Sequence, residues 1–78
     1  MAWEDKPTYS QLNTICRWLN YETKFPTSDL GKVDEYLQTH ATRGQVRSEM
    51  TRLKYLKDNG RLDIDNFFDS EIWKEFER

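Results

Sequence analysis

Two four-residue words, TYSQ and TRGQ, constrain the folding of this 78-residue chain more than anything else in it. They occupy residues 8–11 and 42–45, and each sets a Thr three residues ahead of a Gln. At that spacing the hydroxyl accepts the backbone N–H of the Gln, and the Gln side chain accepts the N–H of the Thr. Two of the orphan donors at a helix start are satisfied together. Pro7 stands just before the first word, as helix starts favour. Behind it, Tyr9, Leu12, Ile15, Cys16 and Leu19 fall on one face of a helix. Behind the second word, Val46, Met50, Leu53 and Leu56 do the same.

The segments between these helices follow from local chemistry. "KFPTSD" ends the first helix, because the residue before a proline is pushed out of the α region. Thr27 or Ser28 is placed to cap a second helix with Leu30, Val33 and Leu37 on its apolar face, Tyr36 on the flank and His40 in its last turn. "DNG" closes the third helix, with Gly60 available for the left-handed position and Leu62 folding back. After an "LDIDNFF" connection, Asp69 or Ser70 is placed to cap a final short helix carrying Ile72, Trp73 and Phe76. No segment alternates with period two, and no hairpin signal flanks two strands. The expectation is all-α: a small bundle of three amphipathic helices plus a short C-terminal helix. It forms one domain over residues 1–78, with 1–7 flexible.

Composition narrows the class. A third of the residues are charged and the mean hydropathy is −1.00, values that with few aromatics would read as disorder. Eleven aromatics supply the buried area that so short a chain needs. One Cys leaves no internal disulfide, and no charged-then-apolar leader or long apolar run stands out, so a cytoplasmic location is expected. Cys16, on the apolar face, reads as an inert core thiol, and His40 as structural. No metal or cofactor site is expected: His40 and Cys16 lack ligand spacing, and Asp63 and Asp65 begin a calcium loop whose next positions are Phe67 and Phe68. No nucleophile motif or phosphate loop points to an enzyme.

The net charge of −2 hides a segregation. Residues 43–62 carry six basic groups against Glu49 and Asp58, and residues 63–78 carry six acidic groups against Lys74 and Arg78. Arg43, Arg47 and Lys54 fall within about 40° of one another on a helical wheel, with Lys57 beside them. That ridge suits the second helix of a helix-turn-helix, meeting phosphates and bases. Against it stand an acidic isoelectric point near 5.3 and no Asn or Gln on the ridge to read adenine. The acidic run, Asp63, Asp65, Asp69, Glu71, Glu75 and Glu77, reads either as ordinary helix-start and solvent-facing charge or as a phosphate-like array for a basic groove on a partner. Trp18, Tyr21 and Tyr55 lie off the apolar stripes and are candidate partner anchors. Trp18 could equally meet the final helix.

At "ATRGQVRSEMTRL" and "FFDSEIW" the chain resembles small, charged, helical accessory proteins of bacteriophages. Some of these, the anti-CRISPR proteins among them, inhibit host machinery by binding it, but no defining motif transfers a residue role. The resemblance implies a non-enzymatic inhibitor in the host bacterial cytoplasm. It would block a nuclease or other nucleic-acid-handling effector by occupying a basic groove with its acidic face. The alternative is a helix-turn-helix DNA-binding regulator using Arg43, Arg47, Lys54 and Lys57. A third possibility is self-association, with a homodimer supplementing a small core. No membrane partner is expected.

Overall fold

Both Thr–Gln pairs close as capping boxes. The Gln11 N–H donates to Thr8 Oγ1 at 3.1 Å while Thr8 N–H donates to Gln11 Oε1 at 3.0 Å, and Thr42 with Gln45 repeats the exchange at 3.3 and 2.9 Å. The computed structural model describes residues 4–77. In chain order these form α1 (Tyr9–Thr23), α2 (Leu30–His40), α3 (Arg43–Asp58) and α4 (Ile64–Phe67), with 3-10 turns at Thr27–Asp29 and Glu71–Trp73. No strand occurs among the described residues, so the chain is all-α.

The turn from α1 into α2 is held by Asn20. At the close of α1, Lys24 takes a left-handed conformation (φ +60°), and the Asn20 amide donates to the Phe25 carbonyl at 3.0 Å. The expected Thr27 or Ser28 cap of α2 does not form; no side-chain cap bond is present there. The Thr27 hydroxyl instead accepts from Asn20, and the chain enters α2 through the Thr27–Asp29 turn. Two residues, Ala41 and Thr42, separate α2 from α3.

The end of α3 is as the sequence indicates. Gly60 has φ +65°, its N–H donates to the Lys57 carbonyl at 3.0 Å, and Arg61 N–H donates to Leu56 at 2.9 Å. This pair of bonds is a Schellman motif, and Leu62 folds back into the core behind it.

The apolar stripes meet as their spacing requires. Leu12, Ile15 and Leu19 of α1, Val33 and Leu37 of α2, and Val46 and Leu53 of α3 are all buried, joined by Leu62, Phe67 and Trp73 from the C-terminal segment. α1 packs against both α2 and α3. The Gln11 side chain donates to the Arg43 carbonyl at 3.3 Å, and farther along Lys57 lies over the Trp18 ring, so α1 and α3 run in the same sense. Of the stretch 1–7 expected to be flexible, residues 1–3 lie outside the described residues. Beyond them, Asp5 accepts the Arg43 N–H at 2.7 Å, Lys6 accepts from Arg43 Nε at 3.3 Å, and Pro7 is buried.

The short fourth helix lies earlier than the sequence indicated. α4 replaces the "LDIDNFF" connection, capped by Asp63 and Asn66, which exchange side-chain-to-backbone bonds of 2.8 Å each. The segment after Ser70 makes only one 3-10 turn, with no side-chain cap bond, and the Ser70 hydroxyl donates to Glu49.

Candidate functional site

The C-terminal segment is held to the bundle by a buried carboxylate. Glu49 is 5% exposed and faces a flank of α3. Relative to the Val46–Leu53 stripe, Glu49 and Arg52 lie about 50° and 110° to one side, whereas Arg43, Arg47, Lys54 and Lys57 lie about 30° to 110° to the other. A buried carboxylate is tolerated only when paired and hydrogen-bonded. Glu49 meets that condition fully. Arg52 donates to its two oxygens at 3.0 and 2.7 Å, the Ser70 hydroxyl at 3.0 Å, and the Trp73 indole N–H at 2.6 Å. The same guanidinium donates to the Asn66 and Phe67 carbonyls, each at 2.7 Å. One side-chain pair therefore fixes α4 on one hand and the Glu71–Trp73 turn on the other. Among the described residues no buried side-chain polar atom lacks a partner.

A second tether comes from α2. The Tyr36 hydroxyl donates to the Ile72 carbonyl at 2.8 Å and accepts the Glu75 N–H at 3.3 Å. Its ring stacks on His40 (4.4 Å between centroids) and on Trp73 (5.8 Å), and His40 Nε2 is 3.8 Å from Glu75 Oε2.

Held in this way, α4 and the following turn frame an open groove of about 530 Å³ lined by Asp63, Asp65, Asn66, Phe68, Asp69, Trp73 and Phe76. Phe68 and Phe76 stack at 5.3 Å with rings 9° apart, and Trp73 packs edge-on against both. A second groove, of about 480 Å³, contains Glu71 and Glu75 with Tyr36, His40, Arg52 and Lys74. The six acidic residues expected to form one face are thus divided. Asp63, Asp65 and Asp69 line the aromatic groove. Glu71, paired with Lys74 at 3.9 Å, and Glu75 belong to the other, and Glu77 is exposed and lines neither.

The basic ridge is largely engaged within the molecule. Lys54 and Lys57 both reach Asp58 at 3.3 Å and hold its carboxyl below the usual carboxylate range. Lys57 also sits 5.7 Å from the Trp18 ring centroid, and Arg43 is tied to Lys6. Arg47 is exposed.

Of the aromatic anchors, Trp18 is half-buried against the core, with Lys57 of α3 over its ring. Tyr21 and Tyr55 are 72% and 64% exposed, and Tyr9, which the sequence reading placed on the apolar face, is 83% exposed. Arg52, three residues before Tyr55, is directed to Glu49. Cys16 donates to the Leu30 carbonyl at 3.8 Å; burial, with a smaller contribution from Asp34, pushes its thiol up to about 11, which suppresses the reactive thiolate.

The Glu49 cluster was the feature missed in the sequence, although a signal exists. Glu49 stands three residues after Val46 and four before Leu53, on the apolar stripe, with Arg52 one turn on. Comparison with protein-family models, curated proteins and solved structures gives no match. No helix among the described residues is long and apolar enough to cross a membrane, and none of their His, Cys, Asp and Glu side chains group in threes able to hold a metal.

Proposed function

We propose that this protein is a non-enzymatic binding module whose acidic C-terminal face engages a basic surface on a partner protein. The observation that carries the reading is the groove in which three aspartates meet stacked aromatic rings on a framework fixed by Glu49. Charge complementarity steers such encounters and sets specificity, while rigid aromatic area supplies affinity. Basic surfaces of this kind are what nucleic-acid-handling proteins present to phosphates. A phage-type inhibitor that occupies such a groove in a bacterial effector is the form of the proposal we favour. The helix-turn-helix alternative gains less support, because Lys54 and Lys57 share Asp58 and Arg43 is bound to Lys6.

The test is affinity capture from bacterial extract with the wild-type chain and with a variant in which Asp63 and Asp69 become Asn and Glu71, Glu75 and Glu77 become Lys. Asn preserves the Asp63 cap. Wild-type protein should retain basic nucleic-acid-binding proteins that the variant releases. Equal retention by both would remove the acidic face from the mechanism.

A further inference from the structure

We infer that the groove between α4 and the Glu71–Trp73 turn is the seat of an arginine side chain from a basic segment of the partner, an assignment that rests on the acidic-face reading above. The groove offers two chemistries at once. Asp63 and Asp69 are exposed carboxylates, and Asp63 directs Oδ1 to the Asn66 N–H, which leaves its second oxygen beyond the cap. Phe76, half-buried against Phe68, Trp73 and Tyr36, supplies a ring whose position is fixed from three sides.

An occupant satisfying both must be cationic and able to lie against a ring. A hard metal ion needs several oxygens converging within about 2.6 Å. The aspartates of this groove do not group that way among the described residues. Carboxylates that do not gather in threes still suit an organic cation with several donors. Between the two basic side chains, lysine is a compact, strongly hydrated point charge. The guanidinium is planar and weakly hydrated, stacks on aromatic faces, and directs a fork of N–H donors to carboxylates while doing so. The groove's size, about 530 Å³, leaves room for the flanking chain of an extended segment.

The walls are preorganised, which matters for so open a site. α4 hangs from Arg52 through the Asn66 and Phe67 carbonyls, and the opposite wall hangs from Glu49 through Ser70 and Trp73. Little ordering remains to be done when a ligand arrives.

The experiment uses two synthetic probes, Gly-Arg-Gly-Arg-Gly and Gly-Lys-Gly-Lys-Gly, titrated into the isotope-labelled full chain and followed by amide and indole NMR shifts. The arginine peptide should move Asp69, Trp73 and Phe76 signals and bind a few-fold tighter than the lysine peptide. The double variant Asp63→Asn, Asp69→Asn should weaken it about tenfold with the spectrum otherwise intact. Equal binding of the two peptides would overturn the arginine assignment. Binding abolished by Glu71→Lys, Glu75→Lys, Glu77→Lys but untouched by the double variant would move the seat elsewhere on the acidic face and leave the wider function standing. No binding of either peptide, together with equal capture by wild type and variant in the extract experiment, would overturn both.

Discussion

Glu49 shows how much of this structure turns on one side chain. Its carboxylate accepts from Arg52, Ser70 and Trp73, so replacing it by an isosteric amide removes the charge while keeping the shape. Glu49→Gln leaves Arg52 without its counter-charge in a site where Arg52 is only 29% exposed. A loss of about 3 kcal/mol is expected, at the lower end for broken buried pairs because some solvent reaches the guanidinium. Urea denaturation checks it, and an unchanged midpoint would show the pair to be incidental. Lys24 works in the opposite direction. With φ +60° it occupies a conformation that costs a side-chain-bearing residue about 1 kcal/mol and glycine nearly nothing. Lys24→Gly should therefore raise stability by about 0.5–1 kcal/mol, seen as a melting temperature a few degrees higher.

At the scale of elements, legibility in the sequence tracked the range of the interaction. The capping boxes at Thr8 and Thr42 and the Gly60 stop depend on residues three to five apart, and each forms as the sequence indicates. The Asp63 box is equally local but less legible, because Asn66 takes the place of the Gln or Glu of the usual pattern. The segment after Ser70 is positioned by a non-local contact. Ser70 has the composition of an N-cap, yet its hydroxyl goes to a carboxylate 21 residues away, which no reading of neighbouring residues anticipates. The groove inherits the same difficulty: its aspartates were visible as charge, while their meeting with Phe76 depends on Glu49 and Tyr36. Tyr36→Phe tests how the segment is retained, since it removes one hydroxyl that both donates to Ile72 and accepts from Glu75. Exchange of the Glu75 amide should accelerate several-fold, with protection at Ile15 and Leu53 unchanged. That pattern corresponds to a local loss of about 1 kcal/mol.

Across the whole molecule, α3 separates charge of opposite sign onto its two flanks. The acidic segment docks on the Glu49 side, and the basic ridge lies on the other, beside α1. The basic and acidic segments cancel in the net charge of −2, which therefore conceals both surfaces, and each is addressed by its own probe. Titration of a labelled random duplex, followed by anisotropy, should show weak binding even at low salt. Tight binding that falls steeply with salt would transfer the function to Arg43, Arg47, Lys54 and Lys57, because each phosphate contact adds to the slope.

The Glu49 anchor also carries a kinetic consequence. Its partners Ser70 and Trp73 lie 21 and 24 residues along the chain, and the Glu49–Arg52 pair they meet is assembled only when α3 is wound. Closing such loops is entropically costly, so contacts of this kind tend to form after the local ones. The docking of α3 on α1 closes a wider loop, 32 residues from Gln11 to Arg43, so chain entropy sets the anchor after the capping boxes and the Gly60 stop and not after the assembly of the bundle. In variants along that seam, a fall in the refolding rate would place the anchor within the folding transition state, and a rise in the unfolding rate alone would place it after that state.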